Sequence, residues 1–106
     1  MKPGDYRRVF SDGLRSVDRC FLVLACSSGF QRSRLGLAVS KKISRRAVDR
    51  NRIKRLIRES FRIHQHRLVG LDLVVVARQG ASRADNRDCF ESLHQHWKRV
   101  AEQCVC

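Results

Sequence analysis

Between Lys41 and Arg62 the chain sets ten basic side chains, Lys41, Lys42, Arg45, Arg46, Arg50, Arg52, Lys54, Arg55, Arg58 and Arg62, against two acids, Asp49 and Glu59. On a solvated helix the two signs normally mix, because opposite charges three or four residues apart attract and like charges repel by roughly 0.2–0.5 kcal/mol per pair. A segment that tolerates this self-repulsion is built for a polyanion outside the chain. Most of these residues are Arg, whose planar fork can grip two phosphate oxygens at once and stack on bases, which the point charge of Lys cannot do. Asn51 adds a neutral donor and acceptor among them. The chemistry on offer is recognition of phosphate and base.

Other sets of reactive residues are weaker. Asp85, Asp88 and Glu91 could be imagined as the carboxylates of a metal-dependent nuclease, but acids in the first turns of a helix are accounted for by its dipole. His64 and His66, like His94 and His96, stand two apart, and residues two apart on a helix point to nearly opposite sides, so neither pair chelates. Cys20, Cys26, Cys89, Cys104 and Cys106 form no Cys-x-x-Cys pair and read as free thiols of a reducing compartment. No Ser-His-Asp set and no Gly-rich phosphate loop stands out. The reading therefore names no catalytic residue and no metal ligand.

The elements that must position these residues follow from hydrophobic spacing. After Pro3-Gly4, Asp5 can cap a short helix whose Tyr6, Val9 and Phe10 share a face, with Gly13 as its stop. Cys20–Cys26 is a continuous apolar run and predicts a buried strand. Arg34–Ser40 predicts a strand with Leu35, Leu37 and Val39 on one face and the small residues Gly36, Ala38 and Ser40 on the other, a smooth surface able to admit a ligand. From Ser44 to His66 the period becomes helical, with Ile53, Leu56, Ile57, Ser60, Phe61 and His64 on one side and Asn51, Lys54, Arg55, Arg58 and Arg62 on the other. Leu71–Ala77 is apolar on both faces, as a central strand is. Ser82 to Asp85 resembles a capping box ahead of a last helix, on which Phe90, Leu93, Trp97, Val100 or Ala101, and Cys104 recur. A long helix between two strands implies a crossover and a layered α/β sandwich.

The whole, residues 1–106, reads as one domain, since nothing in the sequence marks a linker or a repeat. Twenty-three Lys and Arg against ten Asp and Glu give a formal charge of +13, which makes nucleic acid the leading partner. The longest apolar run, Leu71–Ala77, is interrupted by Asp72 and too short to span a bilayer. The first residues lack the apolar stretch of a secretory signal, so the expected place is the cytoplasm, away from membranes.

At this point the residues match a family. Ser40-Lys41-Lys42-Ile43, followed by Ala47-Val48-Asp49-Arg50-Asn51-Arg52-Ile53-Lys54-Arg55-Leu56-Ile57-Arg58-Glu59, resembles the RNR signature of the bacterial ribonuclease P protein subunit. Tyr6-Arg7-Arg8-Val9-Phe10, Arg34-Leu35-Gly36-Leu37-Ala38-Val39 and Asp72-Leu73-Val74-Val75-Val76-Ala77-Arg78 support it on both sides. The resemblance implies an α-β-β-β-α-β-α order, a two-layer sandwich like the second domain of ribosomal protein S5, and a left-handed βαβ crossover against the general right-handed preference. It implies that the catalytic RNA contacts Arg50, Asn51, Arg52, Lys54, Arg55 and Arg58, with Lys41 and Lys42 beside them; Arg45, Arg46 and Arg62 complete the basic surface. A cleft for the single-stranded 5′ leader of precursor tRNA would be lined by Tyr6, Phe10 and Phe21, whose rings suit unpaired bases. Hydrolysis would belong to the RNA subunit and to Mg2+ required by the RNA-containing holoenzyme, the protein alone being inactive and needing no obligate protein partner.

Two features depart from the resemblance. Leu24 stands where it implies an aromatic, and only five residues precede Tyr6, where it implies a longer basic lead-in. Two other classes compete with it. A non-catalytic RNA-binding protein of ribosomal type would share the charge without needing a cleft, and a self-sufficient metal nuclease would need carboxylates converging on one site.

Overall fold

The computed structural model describes residues 3–29 and 31–103. Their elements are α1 (Pro3–Asp12), β1 (Leu14–Val17), β2 (Phe21–Ser27), β3 (Arg34–Ala38), α2 (Ala47–His64), a 3-10 turn (Gln65–Arg67), β4 (Leu71–Ala77), a short α3 (Gln79–Arg83) and α4 (Asn86–Gln103). The order is the expected one with α3 added. The sheet runs β1-β2-β4-β3. β4 pairs antiparallel with β2 and parallel with β3, so β3, α2 and β4 form the crossover. An interior strand with both faces covered has no reason to alternate, which explains the apolar run of β4.

The pleat separates two faces of unequal depth. On one, Phe21, Val23 and Ala25 of β2 and Leu73, Val75 and Ala77 of β4 meet Ile53, Leu56, Ile57 and Phe61 of α2 and Leu93, Trp97 and Val100 of α4. On the other, α1 lays Val9 over Leu24 and Val74, with Tyr6, Leu22, Cys26 and Val76 around them. The helical period of α2 thus buries the side predicted and turns Asn51, Arg55, Arg58 and Arg62 outward. Ser60 is tolerated on the buried side because Trp97 Nε1 donates to its hydroxyl at 2.8 Å.

Two local signals take other roles than the sequence predicts. Asp5 lies inside the first turn of α1, where its carboxylate meets Arg34 at 3.2 Å. The predicted capping box ahead of α4 is not formed: Ser82 belongs to α3 and its hydroxyl donates to Asp49 at 2.7 Å, while Asp85 Oδ1 caps the Asp88 N–H at 2.8 Å. Gly13 does follow the end of α1, its N–H donating to the Val9 carbonyl at 2.8 Å, and a Cβ there would stand 2.3 Å from the same oxygen. Cys104, expected on the last helical stripe, lies outside the described residues.

β1 is held to α4 by a polar bolt. Ser16 Oγ lies 2.7 Å from His96 Nδ1 and accepts from Arg99, while Asp18 Oδ2 lies 3.1 Å from His96 Nε2 and accepts from Ser92. Burial lowers the pKa of His96, and Asp18 opposes that shift only in part. A depressed imidazole favours the fold only while neutral, so this contribution is complete above the unfolded pKa near 6.5 and is lost as the pH falls below it. The urea midpoint of the wild type is therefore expected to drop between pH 7.5 and 5, and that of His96→Gln to be flatter over the same interval.

Candidate nucleic-acid interface

The cations of α2 and of the turn before it fall into two groups. Lys41, Lys42, Arg45, Arg46, Arg55 and Arg58 are exposed, and none makes an ion pair with another described residue. Asn51 is exposed beside them. Arg52, expected in this set, is instead turned toward the protein: its guanidinium donates to Asp49 at 3.1 Å, to Asn86 Oδ1 at 2.8 Å and to the Ala81 carbonyl at 3.2 Å. It fastens α2 to α3 and the start of α4. Arg50 ties the same helix back to the Ser44 carbonyl at 2.9 Å, Arg62 is paired with Glu59, and Lys54 is half-buried. These six cations, without an ion-pair partner among the described residues and with Asn51 beside Arg55 and Arg58, can bind a phosphate backbone through charge-assisted hydrogen bonds.

A second surface lies on the α1 side of the sheet. α1 covers Leu24 and Val74 but leaves the next row open, where the register sets Val17 beside Leu22, Leu22 beside Val76 and Val76 beside Ala38. On α1, Phe10 has 48% of its surface exposed, and Tyr6, half-buried one turn earlier, packs against this side of the sheet. Phe21 is not part of it. Its side chain is fully buried on the opposite face, among residues that pack on α2 and α4, because neighbours along a strand point to opposite sides. Leu24 lies under Val9, closed off from any ligand.

The predicted smooth face of β3 has a definite use. A Cβ on Gly36 would stand 2.4 Å from Tyr6 Cε1, so the glycine lets the tyrosine ring lie on the sheet. Gly36→Ala is expected to displace that ring and to cost ~1–3 kcal/mol through overpacking. Tyr6 is the one tyrosine in the chain, so its ring resonances report the displacement and a urea midpoint reports the cost.

α1 is fixed through Arg8 by Asp72, the one charge inside the apolar strand β4 and fully buried. Arg34 grips its carboxylate with Nε and Nη2, each at 2.7 Å, Arg8 bonds the same group, and Arg8 Nη1 also reaches the Ser27 carbonyl at 2.8 Å. The hydrogen bond to Asp72 holds Arg34 more firmly still in its charged form. This cluster, which sequence reasoning missed, sets α1 across the sheet and so defines one wall of the trough. The available signal was a single Asp in an otherwise apolar strand.

The Ribonuclease P family profile matches residues 1–101. A ribonuclease P protein component of Nitrosococcus oceani is 45% identical over 102 residues, which covers 96% of this chain and 86% of that one; the component of Marinobacter nauticus is 48% identical over 104 residues, covering 97% and 78%. The chain belongs to the ribonuclease P protein family. Among solved structures, the RNase P protein of Staphylococcus aureus superposes with a TM-score of 0.85 at 35% identity, covering 99% of this chain and 95% of that one. The RNase P protein of Thermotoga maritima gives 0.83 at 34% identity over 91% and 94%. The mixed α/β order and the four-stranded sheet are those of these ribonuclease P proteins.

Within this ribonuclease P protein fold the remaining candidates have local roles. Ser16, His96 and Asp18 do come together, across a separation in sequence that no motif marks, but Ser16 and His96 are buried and Arg99 occupies the serine oxygen, so no substrate reaches them. His64 and His94, on α2 and α4, meet at 3.1 Å, while His66 is exposed. Among the described residues no three His, Cys, Asp or Glu side chains gather into a group able to hold a metal ion, and no helix is long and apolar enough to cross a membrane.

Proposed function

We propose that the chain is the protein subunit of a ribonuclease P ribonucleoprotein, in which the outward cations of α2 and its preceding turn bind the catalytic RNA and the trough beside α1 holds the 5′ leader of precursor tRNA. The observation that carries this is the pairing, on a chain of this family, of a cationic helix on one layer with a partly exposed apolar row, Val17, Leu22, Val76 and Ala38, beside α1 on the other. A ribosomal-type RNA-binding protein would use the first surface and have no need of the second. The turn 39–46 leaves β3 next to Ala38, at the trough, and enters α2, so RNA bound on the helix and a leader in the trough would be held by one continuous surface. Mg2+, bound in the RNA-containing holoenzyme, would supply the hydrolytic chemistry, and the protein would raise substrate affinity by gripping the leader. Its bases would stack on Phe10 and the edge of Tyr6, a contact that needs no particular sequence. Phe21, fully buried, takes no part.

The test has two arms. Protein freed of RNA should not cleave precursor tRNA, and adding the catalytic RNA should produce the mature 5′ end in Mg2+; specific cleavage by the RNA-free protein would sink the proposal. In the holoenzyme, Phe10→Ala should weaken binding of precursor tRNA by ~1–3 kcal/mol while leaving mature tRNA almost unchanged. Equal losses on both substrates would take the leader out of the trough.

A further inference from the structure

The cationic face of α2 is interrupted by a concavity of about 470 Å3 between α2 and α4. Leu56 and Phe90 form its floor, and Val48, exposed, stands at its edge. Asn51 and Arg55 from α2 and Asn86 from α4 form its rim. A run of phosphates requires no such feature, since guanidinium and ammonium groups on a flat helix would serve. An apolar floor with one aromatic ring, ringed by amides and cations, fits a flat apolar body with a polar edge and a nearby negative charge. That body is a nucleobase.

The rim is organised before any ligand arrives. Arg52 donates Nη1 to Asn86 Oδ1 at 2.8 Å, and because a guanidinium has no acceptor this fixes which end of the amide it meets, leaving the Asn86 NH2 free to donate elsewhere. Arg52 is itself pinned by Asp49 and by the Ala81 carbonyl, so the donor sits on a rigid support. Glu59, on the pocket wall, would repel a nucleotide, but both its carboxylate oxygens are taken by Arg62, at 2.5 and 3.2 Å. Arg55 is exposed and has no ion-pair partner among the described residues, which leaves it for the phosphate that flanks the base.

We propose that this pocket takes one unpaired nucleobase extruded from the catalytic RNA, with Phe90 under its face, the Asn86 amide donating to an acceptor on its edge and Arg55 on the adjoining phosphate. Sequence-specific recognition of RNA uses unstacked bases in this manner. The proposal rests on the reading that α2 faces the RNA, and adds base recognition to phosphate contact. A second copy of the chain is a poor occupant, since each carries a formal charge of +13.

The test uses the assembled holoenzyme. Base-edge reagents (dimethyl sulfate, carbodiimide and kethoxal) are applied to the catalytic RNA with wild-type protein, with Phe90→Leu, which keeps an apolar floor but loses the ring, and with Asn86→Ala. The wild type should protect one unpaired nucleotide, both variants should expose it, and hydroxyl-radical protection of the backbone should persist. Affinity for the RNA should fall about 5- to 150-fold in Phe90→Leu with an unchanged salt slope, whereas Arg55→Ala should lower the slope. Circular dichroism of each variant establishes that it is folded. If base protection and affinity are unchanged in both pocket variants while Arg55→Ala still lowers the slope, the pocket proposal is overturned and the α2 reading stands. If Arg55→Ala and Arg58→Ala are also without effect, the α2 reading fails with it. Unchanged base protection together with altered self-association would assign the pocket to a protein neighbour and overturn the proposal equally.

Discussion

Trp97→Ala is expected to lower the stability of the chain by ~3–5 kcal/mol, as truncation of a fully buried Trp does. On a domain of this size that corresponds to a fall in Tm of at least about 12 °C. The indole is completely buried, meets Phe61 edge to face at a centroid distance of 6.2 Å, and donates Nε1 to Ser60 Oγ. Both partners are on α2, so the indole is the principal joint between α4 and the helix that carries the cations. Removing it opens a void and leaves a buried hydroxyl without its donor, two costs that add. Trp97→Phe separates them, since the phenyl ring fills part of the space and only the hydrogen bond is lost outright, a deficit of ~1–3 kcal/mol. Thermal melts of the two variants check the order, and a loss in Trp97→Ala no larger than in Trp97→Phe would show that α2 does not depend on this joint.

The parts of this chain that could be read from its sequence are those where one element buries one kind of side chain. α2 shows its period because Ile53, Leu56, Ile57 and Phe61 all face a single layer, and β4 shows its central place because both its faces are covered. β1 carries no such mark. Its inward residue is Ser16, whose partner His96 lies 80 positions away, and a polar residue satisfied by a distant polar residue leaves no hydrophobic pattern. The apolar run reveals β2 but not its parity: apolar residues lie on both of its faces, so nothing in the run Phe21–Ala25 says which face Phe21 takes, and the ring expected at the leader cleft lies in the core. The small-residue face of β3, where Gly36 and Ala38 alternate with Leu35 and Leu37, marks the side of the sheet on which Tyr6 lies.

Arg52 shows the same limit on the helix. As a residue type at a helical position it is indistinguishable from Arg55, and what separates them is α3, a one-turn helix with no periodicity to reveal it, whose Ala81 carbonyl meets the Arg52 guanidinium. This changes the expected result of charge removal. Replacing Arg45, Arg55 and Arg58 together by Ala should leave the fold intact, because all three are exposed and none has an ion-pair partner among the described residues. Each lost phosphate contact removes roughly 0.7 to 0.9 from the slope of log affinity against log salt, so the slope for the catalytic RNA should fall by about 2 to 3. Between 50 and 200 mM salt the wild type should then lose roughly 20- to 40-fold more affinity than the variant. Arg52→Ala should do the reverse, lowering the urea midpoint by unfastening α2 from Asn86 and Ala81 while leaving the salt slope close to that of the wild type. Titrations of each protein into the catalytic RNA at several salt concentrations, set beside urea melts, distinguish the two. A slope that falls as far for Arg52→Ala as for one of the exposed arginines would mean that Arg52 leaves its partners to meet the RNA, and that the inward staple belongs to the free protein alone.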